Sequence, residues 1–577
     1  MNKRFSITSA LRLVASCVAL TAATFAQAQE TSDAPRAITI QNVVVNGTEY
    51  DNMTIRSDSP LIIDFDGVTG LRPVCDRGAR FGSTAHFGRN GELTDREYAM
   101  AKTAWSYFTK RFQPETGLVN AVGSYPSTTL WDTASYISAL VSAYELCVID
   151  KRDFDTRATK LLNTLRNLDL YQGEAPNKVY NSKTGEKVNY ANEPGEVGMS
   201  ALDIGRMLVW LRILKERHPH LANSVDNVPM RWNFCNLVND DGRMFGSFKR
   251  GDGTTRYVQE GRLGYEEYAA KGFALWGFNV ARAMSPEPLA YTTIFDVKVP
   301  YDGRDPRVFK NQNYVLTEGY ILDGLELGWD MPTDKVDDPA VASHGWRAEF
   351  ANRIYLVQQR RFEQTGILTA RSEHQVNGSP YFVYDTIFAD GYAWNTLDPT
   401  GEYQPDRSAI AAKAAVGMWA LWDTDYTDLL FESVADLSEP DMGFFEGLYE
   451  NGNGYIPLQS ANNNGIILAA LLYKVQGPIL KKENNNVQTW DMKFNGTDIR
   501  DNKCHPNKMI KEVACCACAN PPKIDPVIPV EEFIYCRPVL TGGETGATEC
   551  STTEHNLAPP KVRTVLPRSC PIPASDQ

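Results

Sequence analysis

The chain is 577 residues long, with 43% hydrophobic, 22% charged and 11% aromatic residues and a formal net charge of −13. That profile builds a large core and excludes disordered and collagen-like classes. A sustained negative field repels phosphate backbones, anionic lipid and uronic-acid polymers, so no nucleic-acid partner is expected and a neutral or cationic one is favoured.

The N-terminus carries Lys3, Arg4 and Arg12, then an apolar stretch from Leu13 to Phe25, then Ala26-Gln27-Ala28. This is the pattern of a secretory signal over residues 1–28, cleaved after Ala28, and it predicts a periplasmic or secreted protein. The later sequence has no run near the roughly 18 apolar residues that a spanning helix needs, so no integral membrane segment is expected. Residues 29–92 are polar, with alternating segments such as Ile38-Thr39-Ile40 and Val43-Val44-Val45, and predict a small strand-bearing leader. Residues 93–480 carry long helical patterns, and residues 481–577 form a Pro-rich, irregular tail.

Beyond Cys17, the cysteines divide into Cys75, Cys147 and Cys235 in the body and Cys504, Cys515, Cys516, Cys518, Cys536, Cys550 and Cys570 in the tail. Both groups are odd, so either a disulfide joins tail to body or each keeps a thiol, and in an exported chain disulfides are the default. Cys515-Cys516-Ala517-Cys518 lacks a His or a second Cys pair at zinc-finger spacing. Neither metal nor cofactor is expected.

Six helical segments rich in small residues begin near Trp131, Met199, Tyr265, Glu318, Ser408 and Asn462. The first holds Ala134, Ser138 and Ala139, and the third holds Ala269, Ala270, Gly272 and Gly277. Glycine inside a helix costs about 1 kcal/mol relative to alanine, and close helix-helix approach in a crowded inner ring is a compensating reason for it. More amphipathic segments at 95–112, 154–168 and 340–362 alternate with them as candidates for an outer ring. The expected fold is all-α: an (α/α)6 toroid of helical hairpins over 93–480, with the strand-bearing leader before it and a disulfide-rich tail after it.

Parallel inner helices bring their N-termini to one mouth, and there the sequence places carboxylates, aromatics and amides. Asp132, Glu266, Glu318 and Glu267 are the candidate catalytic residues, and Trp131, Glu196, Glu260, Tyr265, Trp394, Glu450 and Asn463 the candidate substrate-binding residues. Sugar rings stack on Trp and Tyr, and glycoside hydrolysis needs one protonated carboxyl and one ionised carboxylate flanking the bond. An oligo- or polysaccharide is therefore the expected partner. Acids in a first helical turn also stabilise the helix dipole, by roughly 0.3 to 1 kcal/mol, which is the plain alternative for Asp132 and Glu318. Asp203 is expected to pair with Arg206, and Trp210, Trp276, Trp419 and Trp422 to lie in the core. The sequence contains no G-x-S-x-G, H-E-x-x-H, Walker A or G-x-G-x-x-G pattern.

The stretches STTLWDTASYISALVSA, VNYANEPGEVGMSALDIGRMLVWL, QEGRLGYEEYAAKGFALWG, NYVLTEGYILDGLELGW and PYFVYDTIFADGYAWN resemble the bacterial domain-of-unknown-function-3131 family over about residues 94–478. More distantly, the chain is similar to (α/α)6 glucoamylase-like domains and to glycoside hydrolases acting on β-1,2-glucans. In those, a D-T-A segment opens an early inner helix and a Tyr-Asn-Glu segment opens a later one. The likeness implies Asp132 on the first and Glu266 or Glu267 on the second, and the family pattern G-Y-E-x-Y favours Glu266. Two other functions fit the same residues. One is a noncatalytic glycan-binding or envelope-assembly protein; the other is a polysaccharide lyase using His374, Asn377 and Tyr381, against which the acidic chain weighs.

Overall fold

The computed structural model describes residues 36–45, 48–57, 86–480 except 262, 281, 287, 307–311 and 330–345, and the stretches 503–506, 536–538 and 548–550. The expected signal segment and most of the tail, including Cys515, Cys516 and Cys518, lie outside them. The chain divides into two compact units, Met1–Asp76 and Arg77–Gln577. In the first, Arg36–Val45 pairs antiparallel with Thr48–Ser57, setting Ile38 opposite Ile55 and Ile40 opposite Met53.

The second unit is built on helices α1 (Asp95–Lys110), α2 (Leu130–Glu145), α3 (Lys151–Asn167), α4 (Ala201–Arg217), α5 (Ala222–Asp226), α6 (Tyr265–Leu275), α7 (Glu318–Leu322), α8 (Trp346–Thr365), α9 (Ala412–Leu421), α10 (Asp425–Val434) and α11 (Ala461–Gln476). The helices fall into two sets. Helix α2 packs on α4, α4 on α6, α6 on α7, α7 on α9, α9 on α11, and α11 returns to α2. The other helices lie against these: α1 on α11 and α2, α3 on α2, α5 on α4, α8 on α7 and α10 on α9. Trp210, Trp276, Trp419 and Trp422 are all buried in the one large apolar cluster.

The small residues let backbones touch. A Cβ added at Gly272 of α6 would stand 2.0 Å from the carbonyl oxygen of Gly205, and one at Gly205 of α4 would stand 2.4 Å from that of Ala269. Gly465 of α11 meets the Ser135 carbonyl oxygen of α2 at 2.7 Å in the same sense. Gly277 plays another part: it lies beyond the last turn of α6 with φ 92°, where it lets the chain turn away.

The all-α expectation needs correction, because short antiparallel pairs run through the connecting segments. Ser127–Thr128 pairs with Tyr180–Asn181, Phe245–Lys249 with Thr255–Gln259, Leu289–Ile294 with Val297–Asp302, and Ala409–Ala411 with Gly447–Tyr449. The connections are too long to be turns, and folding them back on themselves or on one another satisfies backbone groups that would otherwise be buried unpaired. Ala409–Ala411 also explains why the fifth small-residue helix begins at Ala412 rather than near Ser408. One disulfide, Cys235–Cys504, joins body to tail, which is the first of the two readings that the odd cysteine counts leave open. Cys147 is also disulfide-bonded.

Gly272→Ala should destabilise the chain by about 1–3 kcal/mol, because overpacking against backbone outweighs the gain of about 1 kcal/mol in helix propensity. Urea denaturation checks it, and a variant as stable as the wild type would mean that α4 and α6 can separate without loss.

Candidate active site

Three of the helices in the closed series start on the same motif. Thr129 caps α2 by accepting the amide of Asp132 (3.1 Å), Ser200 caps α4 by accepting that of Asp203 (3.2 Å), and Ser460 caps α11 by accepting that of Asn463 (3.1 Å). An acid or amide thus falls at the third helical position each time, where it faces the positive end of the dipole. In α6, whose cap is Gly264 at φ 103°, the third position is Glu267, and its carboxylate accepts the Gly264 amide at 2.6 Å.

Beneath these termini lies Glu318, fully buried on the first turn of α7. Its Oε1 accepts from the indole Nε1 of Trp131 (2.9 Å) and from Nδ2 of Asn462 (2.8 Å), with Nη1 of Arg206 at 3.9 Å. Its Oε2 forms an ion pair with Lys413. Arg206 in turn donates to Oδ1 of Asn462 (2.8 Å) and lies under the Trp131 ring at 4.6 Å, and Ser135 donates to the same Oδ1 at 2.9 Å. Side chains from α2, α4, α7, α9 and α11 therefore meet at one carboxylate. Burial pushes the Glu318 carboxyl up, but Lys413 and Arg206 outweigh it and hold it below its ordinary range. Glu318 is thus ionised and fully engaged.

Asp132, Asp203 and Glu260 are half-buried. Asp132 accepts from the Thr129 hydroxyl at 2.7 Å. Burial raises its carboxyl, while the Thr129 hydrogen bond and the charges of Arg206 and Lys413 pull the other way. Asp203 is raised further, to about 7, by burial and by the charges of Glu260 and Asp132, against Lys178 and the Ser200 hydroxyl. That hydroxyl stands 3.2 Å from both Asp203 Oδ1 and Glu260 Oε2 and has one proton to give, so the two acids share a donor. Glu260 also accepts the Leu202 amide at 3.0 Å and so caps α4 from a neighbouring segment.

The expected pairing of Asp203 with Arg206 is not what forms. At third position Asp203 folds back toward its own cap, while Arg206, one turn on, points down to Asn462 and Glu318. Asp203, Arg206, Lys413 and Asn462 are the residues at this place that the candidate sets omitted. The recurring Ser/Thr-x-x-Asp/Asn cap at Thr129, Ser200 and Ser460 is the signal that could have found Asp203.

The remaining candidates divide. Tyr265 is buried with its ring 5.7 Å from Trp131. Glu266 is buried and accepts from Gln259 Nε2 at 2.7 Å. Glu267, besides its capping bond, has Arg347 at 3.6 Å, and burial raises its carboxyl to about 7. Three candidates are drawn into other contacts. Glu196 pairs with Lys187 (2.7 Å) and Lys249 (3.3 Å), and Glu450 pairs with Arg361 and Arg371 at 2.7 Å each. Asn463 donates to the carbonyls of Phe444 (3.3 Å) and Phe445 (2.9 Å). Trp394, at φ 58°, has Arg361 over its ring at 4.5 Å and Arg371 at 5.7 Å. His374 is buried between the carbonyls of Ser372 and Arg407, and burial lowers it to about 4, whereas Asn377 and Tyr381 are exposed. A lyase base is not assembled from those three. Among the described residues no group of three or more His, Cys, Asp or Glu is placed to hold a metal ion.

Glu318→Gln leaves Lys413 buried without its partner and should cost about 3–5 kcal/mol of stability in denaturant unfolding. Because the folded carboxyl is held below its ordinary value, the pair's contribution is present above the ordinary glutamate range and fades as pH falls through the folded value. The wild type should therefore lose stability on acidification more steeply than Glu318→Gln. Equal slopes would remove Glu318 from the centre of this network.

No curated protein matches the chain. Among solved structures it is similar to a glucoamylase-like protein from Bacteroides caccae, at 12% identity and TM-score 0.49, covering 67% of this chain and 94% of that one. It is also similar to an endo-β-1,2-glucanase from Chitinophaga pinensis (14%, TM-score 0.48, 67% and 94%). A third is an endo-β-1,2-glucanase from Talaromyces funiculosus (11%, TM-score 0.43, 66% and 84%). A family model described as a protein of unknown function, DUF3131, matches residues 99–477. That span is most of the chain and contains every residue of the site, and the chain belongs to the DUF3131 family.

Proposed function

We propose that this chain is a glycoside hydrolase of (α/α)6 toroid architecture that acts on a neutral glucan or related polysaccharide, with Asp203 as general acid and Asp132 as the ionised partner. The closed series of six helices supports the toroid, since α11 packs back on α2. Residues 1–28, read as an export signal, put the reaction in the periplasm or outside the cell.

The observation that carries the reading is the pair of half-buried aspartates at the same capped position of adjacent helices, one of them raised to about 7. Asp203, raised to about 7, keeps a proton near neutral pH and can give it to a leaving glycosidic oxygen. Asp132 is raised too, but Arg206, Lys413 and the Thr129 hydroxyl favour its ionised form, which suits activation of water or attack on carbon. The two carboxyls have different neighbours, cations and Thr129 at Asp132 and two further acids at Asp203, and unlike environments are what paired-carboxyl hydrolysis requires. Glu266 sits under the Gln259 amide, which substrate would have to displace before that carboxyl could react. No metal or cofactor enters the proposed step.

Asp203→Asn and Asp132→Asn should each lower glycan cleavage by about 10²–10⁴ while leaving the fold intact. Reducing-end release across a panel of neutral glucans reads the activity. kcat/KM of the wild type should decline above about pH 7, as Asp203 loses its proton. The residual activity of Asp203→Asn should lack that alkaline limb. If Asp203→Asn keeps wild-type turnover and Glu266→Gln does not, the acid is Glu266. An unsaturated, ultraviolet-absorbing product in place of reducing ends would replace hydrolysis with elimination.

A further inference from the structure

Beside Asp203 stands a loop whose construction exceeds what a connection needs. Residues 187–195 fold back as a hairpin, with Val188 bridged to Pro194, the Asn189 amide donating to the Glu193 carbonyl (2.9 Å) and the Gly195 amide to that of Lys187 (3.1 Å). At its tip the Asn189 side chain accepts the amides of Ala191 (2.9 Å) and Glu193 (3.0 Å) and donates to the Glu193 carboxylate (3.0 Å). Asn192 holds φ 60° and takes a hydrogen bond from Asn181 at 3.3 Å. Asn181 belongs to the strand pair that leads directly into α2 and Asp132. The hydroxyl of Tyr125, on the segment before α2, donates to the backbone carbonyl of Tyr190 at 3.1 Å.

All this bracing presents one side chain, Tyr190, which is 67% exposed. Among the described residues its phenol makes no hydrogen bond; the loop is held by its backbone and by neighbouring amides. Holding a large aromatic rigidly in solvent stabilises nothing in the free protein. The ring is nonetheless close enough to Asp203, Glu260 and Tyr384 to feel their charges, and the surrounding protein pushes its hydroxyl well above the ordinary range. The hairpin runs straight on through Glu196–Met199 into Ser200, the cap of α4, so it is fixed in the chain directly ahead of Asp203. Tyr125, 45% exposed, stands beside it.

We infer that Tyr190, braced by Asn189 and Tyr125, is the platform on which a pyranose ring of the glycan stacks next to the bond that Asp203 attacks. The occupant is set by chemistry: an apolar ring face for the phenol, and hydroxyls that donate to the acceptor oxygens of Glu260 and Asp203. A charged aromatic or phosphorylated ligand would meet those carboxylates unfavourably, whereas a neutral sugar meets complementary groups. This inference rests on the glycoside reading of the site and adds a binding residue from a loop absent from the candidate sets.

The test is equilibrium binding of β-1,2-, β-1,3- and β-1,4-linked glucotetraose to the full chain carrying Asp203→Asn, by calorimetry, with and without changes at position 190. Tyr190→Ala should weaken binding of whichever tetraose binds by about tenfold, the scale of one aromatic contact. Tyr190→Phe, which keeps the ring and drops the hydroxyl, should stay within about twofold. In the otherwise wild-type enzyme, Tyr190→Ala should raise KM far more than it lowers kcat. Binding unchanged in Tyr190→Ala, equal loss in Tyr190→Phe, or no tetraose bound at all would each overturn the platform. Tyr190-dependent binding without release of reducing ends by the wild type would leave the platform standing and remove hydrolysis. Hydrolysis with an unchanged KM in Tyr190→Ala would do the reverse.

Discussion

Glu318 is the constraint around which the helical unit is arranged. A carboxylate this deeply buried is tolerated only if its charge is matched and its oxygens are occupied, and it recruits Trp131, Arg206, Lys413 and Asn462 from four other helices to do so. The sixth helix of the series, α6, joins through Tyr265 against Trp131 and through Tyr268, which hydrogen-bonds Glu326 on the π turn that continues α7. Replacing any one of these partners leaves a buried group unpaired, so the helices are held in register by polar specificity as well as by the contacts of their glycines. The same network supplies the electrostatics of the surface above it. Arg206 and Lys413 lie within reach of Asp132, whereas Asp203 faces Glu260 and Asp132 and is drawn down by Lys178 among the cations.

Capping and exposure to solvent compete for the same acids at these helix starts. At Glu267 capping has won: the side chain curls back to Gly264 and finishes against Arg347. Asn463 likewise spends its amide on the carbonyls of Phe444 and Phe445. Asp132 and Asp203 differ because their own caps, Thr129 and Ser200, already take the third-position amides through hydroxyl oxygens. Their carboxyls are then left with one hydroxyl donor each, and in the case of Asp203 a shared one. That is why these two acids remain half open while their counterparts on α6 and α11 are absorbed into structure.

The alternation of small-residue and amphipathic segments was legible because helix packing is read directly from local pattern: starts near Tyr265, Glu318 and Asn462 fall at Tyr265, Glu318 and Ala461. The amphipathic segment at 154–168 begins earlier, at Lys151, because Asp150 caps it by accepting the Asp153 amide, a cue the hydrophobic period does not contain. Roles within the site were far less legible. Whether an acid reacts or merely pairs depends on partners 187 residues away for Trp131 and Glu318, or 89 for Arg361 and Glu450. Spacing of three residues made Asp203 and Arg206 look like a pair, yet a third-position side chain turns back to its cap while its neighbour one turn later points into the bundle. Glu450 and Glu196 had the right residue type at the right ends of segments, and cations took both, distant ones at Glu450 and one near and one distant at Glu196.

The distribution of cations finally bears on what such a cleft can hold. Of the buried lysines and arginines, Arg206, Lys215, Arg217, Lys271, Arg347, Arg361, Arg371 and Lys413 are each within ion-pair distance of a carboxylate, and Lys178 lies 3.7 Å over the Phe248 ring. The positive charge of these buried residues is thus engaged inside the protein, while Asp132, Asp203 and Glu260 are half-buried carboxyls above them. A uronate approaching Asp203 would bring negative charge beside Glu260 and Asp132, and its own carboxylate would raise the cost of keeping Asp132 ionised. A neutral sugar carries no such penalty and supplies hydroxyl donors to acids that lack them. For the glycoside hydrolase proposed above, the buried pairing that fixes the fold would therefore also disfavour charged glycans, in keeping with hydrolysis of a neutral chain rather than elimination from an acidic one.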